Sequence, residues 1–173
     1  DPFSTIEQYG ADATRWYMIS NAQPWDNLRF NLDGIGEVQR KFFGTLHNTY
    51  SFFALYANID GFAYKEAEIP YCDRPELDRW ILSELHTLIR LTDASYEDYE
   101  PTRAARAIQV FVDEYLSNWY VRLSRRRFWK GAYTDDKISA YQTLCRCLEV
   151  IAQLISPIAP FYADRLFNDL NAV

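Results

Sequence analysis

Glu76-Leu77-Asp78-Arg79-Trp80-Ile81-Leu82-Ser83-Glu84-Leu85-His86-Thr87-Leu88-Ile89-Arg90-Leu91 is the stretch on which the fold turns. Leu77, Trp80, Ile81, Leu85, Leu88 and Leu91 recur at spacings that put them on one side of a helix, whereas a strand would scatter them over both faces. Asp73 and Pro75 supply the start signal, so the spacing predicts a helix over about 75–96. His86 lies beside the stripe and is expected to be structural. Outward from this stretch the same pattern repeats three times. Asp33 is the expected cap of a helix over about 34–58, carrying Ile35, Val38, Phe42, Leu46, Phe53 and Tyr56. Pro101 opens another through Ala104, Ile108, Val112 and Tyr115, with Gly131 as its expected end. Asp135 or Asp136 caps a fourth with Ile138, Tyr141, Leu144, Leu148 and Ile151, until Pro157 and Pro160 break it ahead of a last turn or two around Phe161 to Leu170. Near the start, Ser4-Thr5-Ile6-Glu7 has the form of a capping box and Gly10 that of a helix stop. Asp12 to Ile19 reads as a second short helix. Asn21 to Leu32, with Pro24 and Trp25, reads as irregular, with a short extended piece at Leu28-Arg29-Phe30. Four long amphipathic segments with short connections and almost no strand pattern predict an all-α antiparallel helical bundle.

Bulk properties narrow the function. The 173 residues suffice for one domain with a full core, and 49% hydrophobic with 17% aromatic content excludes a disordered tail. A net charge of −6 argues against coating nucleic acid non-specifically, which needs a broadly basic surface. Cys72, Cys145 and Cys147 are too few and too badly spaced for a zinc site, and are expected to be reduced thiols of a cytoplasmic protein. No apolar run is long enough to cross a membrane, because Gln153, Pro157 and Pro160 interrupt the longest one, and no signal peptide is read. The start at Asp1-Pro2, without Met, is expected of a piece of a longer chain. No catalytic constellation emerges. Gly34-Ile35-Gly36 lacks the strand and third glycine of a dinucleotide loop and reads as a helix start. Glu97, Asp98 and Glu100 have no metal-ligand pattern, so no catalytic, metal or cofactor residues are assigned.

The exception to the acidic character is Ser117-Asn118-Trp119-Tyr120-Val121-Arg122-Leu123-Ser124-Arg125-Arg126-Arg127-Phe128-Trp129-Lys130. Its five cations stand without an acid, leaving −11 on everything else. On an α-helical wheel with Arg122 at 0°, Arg126, Lys130 and Arg125 fall at about 40°, 80° and −60°, and Trp119 and Trp129 at about 60° and −20°. Val121 and Phe128 lie roughly opposite and are the expected core residues. Arg127 stands apart, where an acid of the bundle can pair with it. Arg binds phosphate through forked, charge-assisted hydrogen bonds, and aromatic faces stack on unpaired bases. The candidate RNA-binding set is therefore Trp119, Arg122, Arg125, Arg126, Trp129 and Lys130. Arg40, Lys41, His47 and Asn48 on the first long helix are candidates for a second polar wall, and Arg103 and Arg106 either touch phosphate or are simply exposed. Two other readings stay open: arginine stems covering a Trp-rich groove with their heads paired to acids, and a protein-interaction module whose basic rim steers encounter.

Several segments resemble class I aminoacyl-tRNA synthetases. Tyr9-Gly10-Ala11-Asp12-Ala13-Thr14-Arg15-Trp16-Tyr17 is similar to the segment that follows the Lys-Met-Ser-Lys-Ser loop. Pro24-Trp25-Asp26-Asn27-Leu28-Arg29-Phe30, Arg40 to Phe53, and Ser117 to Arg122 with Arg125 to Trp129 resemble the isoleucyl-tRNA synthetase branch, with the valine branch the nearest competitor. The resemblance covers nearly the whole chain. It implies a stem-contact segment over 1–30 beside a catalytic domain in cis, then a helical anticodon-binding domain over 31–173. It also implies tRNA(Ile) as partner and a monomer. The parent enzyme would ligate isoleucine to its tRNA with ATP and Mg2+, while the catalytic motifs and editing insertion lie outside this stretch, which would need no cofactor. In the methionine branch a Trp near this place contacts the anticodon loop, which makes Trp119 the expected stacking residue, with Arg122, Arg126 and Lys130 on phosphates and His47 and Asn48 on base edges.

Overall fold

A computed structural model describes residues 1–130 and 132–171. Among them are seven helices, a short 3-10 turn at Tyr71–Asp73 and no strand. The all-α expectation holds. Helices α1 (Pro2–Tyr9) and α2 (Ala11–Asn21) meet at Gly10, whose φ of 82° only glycine adopts readily. The Ser4 capping box does not form. Asp1 caps α1 instead, its side chain accepting from the Phe3 amide at 3.2 Å, because Pro2 already has helical φ and needs no amide partner.

Helix α3 covers 32–60 as three continuous pieces: Leu32–Val38, a widened π segment Gln39–Phe43, and Gly44–Asp60. Asn31 rather than Asp33 is its cap, accepting from the Asp33 amide at 3.0 Å. No strand forms at Leu28-Arg29-Phe30. That stretch is held by the Tyr17 hydroxyl, which donates to the Arg29 carbonyl and accepts from the Asn31 amide, both at 3.1 Å. Gly34 lets the Tyr17 ring sit there, since a Cβ at that position would lie 2.5 Å from the ring. Trp16, fully buried, stacks on Phe42 with centroids 4.4 Å apart, fastening α2 to α3.

Helix α4 is Glu76–Glu97 and α5 covers 101–129 as Pro101–Val110, a π segment Phe111–Val121, and Arg122–Trp129. A short turn joins α4 and α5, and they pack along their lengths. Helix α6 (Asp135–Ile155) is capped at Thr134, one residue before the expected acids, and α7 (Pro160–Asn171) folds back on it. The expected end of α5 at Gly131 lies outside the described residues. Ile81, Leu85 and Leu88 of the opening stretch are buried, while Leu77, Trp80 and Leu91 form the half-buried edges of the stripe. His86 is exposed, a correction to its expected structural role. The loop after α3 is pinned by buried Arg74, which donates to the Ile69 carbonyl at 2.9 Å and the Thr143 hydroxyl at 2.8 Å. No described helix is long and apolar enough to cross a membrane, and all three cysteines are free thiols.

Candidate nucleic-acid interface

Val112, Leu116, Tyr120, Ser124 and Phe128, all buried, recur every four residues along α5. In a straight α-helix each such step advances about 40°, so the row would wander about 160° around the axis. The π segment absorbs that drift. Its wider turns are seen where the Arg122 amide reaches back five residues to the Ser117 carbonyl. The last turns of α5 therefore enter the bundle with Phe128 inward, its ring 5.1 Å from Phe52 of α3 and 5.0 Å from Tyr141 of α6. Val121 is buried as expected.

Beneath this helix end lies a buried polar knot. Asp78 of α4 has no solvent exposure. It accepts from both Arg127 nitrogens at 2.6 and 2.9 Å, from the Tyr120 hydroxyl at 2.9 Å and from the Ser139 hydroxyl of α6 at 2.6 Å. Arg127 also bonds the Asp136 carboxylate and carbonyl at the start of α6. Burial disfavours the Arg127 charge, but the hydrogen bonds and charge of Asp78 outweigh it and hold the guanidinium above its ordinary range. Burial, with the Asp78 charge beside it, likewise pushes the Tyr120 phenol well up.

The opposite face is different in kind. Arg122, Arg125, Arg126 and Lys130 are exposed, and none forms a salt bridge with any described residue. Of the five cations in the run, Arg127 alone is paired with carboxylates of the described residues, so the arginine heads are not all neutralised by them. Trp119 is 57% exposed and Trp129 52%. Arg122–Trp129 is regular α-helix, so Arg122, Arg125, Arg126 and Trp129 occupy an arc of about 100°. Trp119 precedes it on the π segment, where the straight wheel does not apply, yet it remains outside. Lys130 is a correction: it is extended, with φ −120°, and has left the helix on which the wheel placed it.

The second set lies on α3. Arg40, Lys41, His47 and Asn48 are all exposed. Lys41 pairs with Glu37 at 2.5 Å and lines a polar groove of about 900 Å³ with Arg29, Arg106 and Asp113. His47 lines a different groove, of about 570 Å³, with Tyr9, Gln39, Phe161 and Tyr162. Neither groove is lined by residues 119–130, and Arg40 and Asn48 line neither of them. Arg106 is occupied in capping α2, donating to the Ser20 and Asn21 carbonyls, and Arg103 pairs with Glu100. Asp78 escaped the sequence reading, although an acid between Leu77 and Ile81 in an apolar stripe is a signal that a buried cation must meet it.

Comparison with known proteins identifies the family. Residues 78–172 match the family described as the anticodon-binding domain of tRNA ligase. Over its whole length the chain is 68% identical to an isoleucine–tRNA ligase of Bacteroides fragilis, spanning 15% of that protein. It is 66% identical over 171 residues to that of Porphyromonas gingivalis and 49% over 173 residues to that of Dehalococcoides mccartyi, again about 15–16% of their lengths. All of this chain superposes on 20% of the synthetase in a LeuRS–tRNA–LeuAMS ternary complex from Agrobacterium radiobacter K84, with a TM-score of 0.70 at 18% identity. At that identity the likeness speaks to the fold.

Proposed function

We propose a function from one premise: this chain belongs to the anticodon-binding domain family of tRNA ligases. The exposed end of α5 grips the anticodon stem-loop of tRNA(Ile). Arg122, Arg125, Arg126 and Lys130 hold phosphates, and Trp119 stacks on a splayed loop base, with Trp129 a second platform. Arg40, Lys41, His47 and Asn48 make secondary contacts outside the main patch. Residues 1–30 form the stem-contact segment, beside a catalytic domain in cis that joins isoleucine to the tRNA with ATP and Mg2+ in a monomeric cytoplasmic enzyme. The ligation chemistry belongs to that domain, and this chain contributes grip. The observation that carries the reading is the contrast within one short run: a single half-buried arginine held in a carboxylate knot, and four exposed cations with no carboxylate partner among the described residues.

Electrostatic titration tests it. Arg122→Ala and Arg126→Ala are expected to leave thermal stability unchanged, since both side chains are exposed. Each should weaken tRNA(Ile) binding and reduce the slope of log affinity against log salt by about 0.7–0.9, the contribution of one neutralised phosphate. Unchanged affinity and slope in both variants would refute the phosphate role.

A further inference from the structure

We propose that Asp78 and Arg127 are positioning residues for the basic face, setting the rotation of the α5 end and with it the arc on which Arg122, Arg125, Arg126 and Trp129 stand. The inference rests on the RNA-binding reading above. Helix α5 reaches this point through eleven residues of π-helix, Phe111–Val121. A π turn gained or lost there shifts everything downstream by one residue, about 100°. Such a shift would carry the cations toward Phe52 and Tyr141 and turn Phe128 to solvent. The apolar contacts of Phe128 oppose so large a shift, but hydrophobic burial has no direction and fixes smaller rotations of the helix end less sharply.

The fork from Arg127 to Asp78 is directional. Two bonds of 2.6 and 2.9 Å fix the guanidinium plane. Tyr120, seven residues earlier and still within the π segment, bonds the same Asp78 Oδ1 at 2.9 Å. One carboxylate on α4 thus holds α5 on both sides of the π-to-α transition, while Asp136 and Ser139 tie the knot to α6. Buried ion pairs are weak sources of net stability, and their best-attested role is to fix register. Arg127 takes part in binding through Asp78 and touches no RNA.

Binding of an isoleucine tRNA transcript to the 173-residue chain separates this from the alternatives. A bystander Asp78 beneath a cationic face repels a polyanion, so Asp78→Asn would leave affinity unchanged or raise it. Positioning predicts the opposite sign: a loss of about tenfold, the scale on which supporting contacts affect a binding constellation, with the wild-type salt slope. Arg127→Lys keeps the charge and loses the fork, and should weaken binding as much as Arg127→Met, again at unchanged slope. If Arg127 itself gripped phosphate, Lys would largely rescue and Met would flatten the slope. Circular dichroism identifies any variant that fails to fold. In that event Asp136→Ala, at an exposed site, removes the carboxylate contacts to Arg127 while keeping the carbonyl bond, and should weaken binding at unchanged salt slope. Folded Asp78→Asn and Arg127→Lys with wild-type affinity, beside an Arg122→Ala that weakens binding, would overturn the inference alone. Absence of salt-dependent binding by the wild-type chain would overturn the RNA reading and the inference with it.

Discussion

Replacing Trp119 and Phe128 in turn by alanine separates the two faces of α5. Phe128 is 1% exposed, enclosed by Phe52 and Tyr141. Burying about 200 Å² of ring surface is worth up to about 5 kcal/mol, and Phe→Ala changes in cores cost about 3–5 kcal/mol with the cavity included. Trp119 covers less than half of its surface, about 100 Å², for an upper bound of about 2.5 kcal/mol. Residual burial in the unfolded chain brings that to about 1.5–2.2 kcal/mol. At about 2–4 °C per kcal/mol for a chain of this size, Phe128→Ala should lower Tm by about 6–20 °C and Trp119→Ala by about 3–9 °C. Binding should reverse the order. Loss of one stacking platform costs about 1–3 kcal/mol, about 5- to 150-fold in Kd, so Trp119→Ala should bind tRNA far more weakly while remaining folded. Scanning calorimetry and a filter-binding titration on the same preparations read both quantities. A Trp119→Ala Tm loss equal to that of Phe128→Ala would refute the two-faced helix. A stable Trp119→Ala chain with wild-type affinity would refute stacking at that residue.

Thiol labelling at pH 8 should show three classes: Cys72, exposed, reacts at once; Cys145, whose thiol burial pushes up to about 12, reacts slowly; and Cys147, fully buried, reacts only on unfolding. Two or three rapidly reacting thiols would contradict the packing of α6. Acid stability should depend on Asp60. Burial disfavours its charge, but hydrogen bonds from Lys137 and Tyr141, both at 2.6 Å, outweigh that and hold the carboxyl below its ordinary 3.8. A folded-state pKa below the unfolded one contributes stability above that ordinary value, lost as pH falls through the lower one. Asp60→Asn should therefore lower Tm at pH 7 and shrink the further fall between pH 5 and about 3, measured against wild type. An undiminished acid limb would be the contrary result.

The long helices were legible because their apolar residues recur at helical spacing and proline marks three of their boundaries, at Pro75, Pro101 and Pro160. Cap identity was less so. Ser4 and Asp33 are good cap residues, but Asp1 and Asn31 stand where the backbone actually turns into the helix, and that depends on Pro2 and on the Tyr17 hydroxyl. The inward placement of Phe128, the outward placement of Trp129 and the isolation of Arg127 could be read from a wheel because Arg122–Trp129 is regular α-helix. The partner of Arg127 could not, since Asp78 lies on another helix and only the packing of α4 against α5 brings them together. That Lys41 and His47 line different grooves was hidden for a related reason. Their helix widens at Gln39–Phe43, and each lines a different groove, Lys41 one shared with α2 and α5 and His47 one shared with α1, α2 and α7.

The central claim is that the exposed end of α5 is an RNA grip. The most direct measurement is titration of the chain with tRNA(Ile) and with a mismatched tRNA at low and moderate salt, followed through Trp fluorescence, which Trp119 and Trp129 should report. The account predicts binding that favours tRNA(Ile), perturbs that fluorescence and weakens steeply with salt. Absence of binding to either RNA at low salt would contradict it.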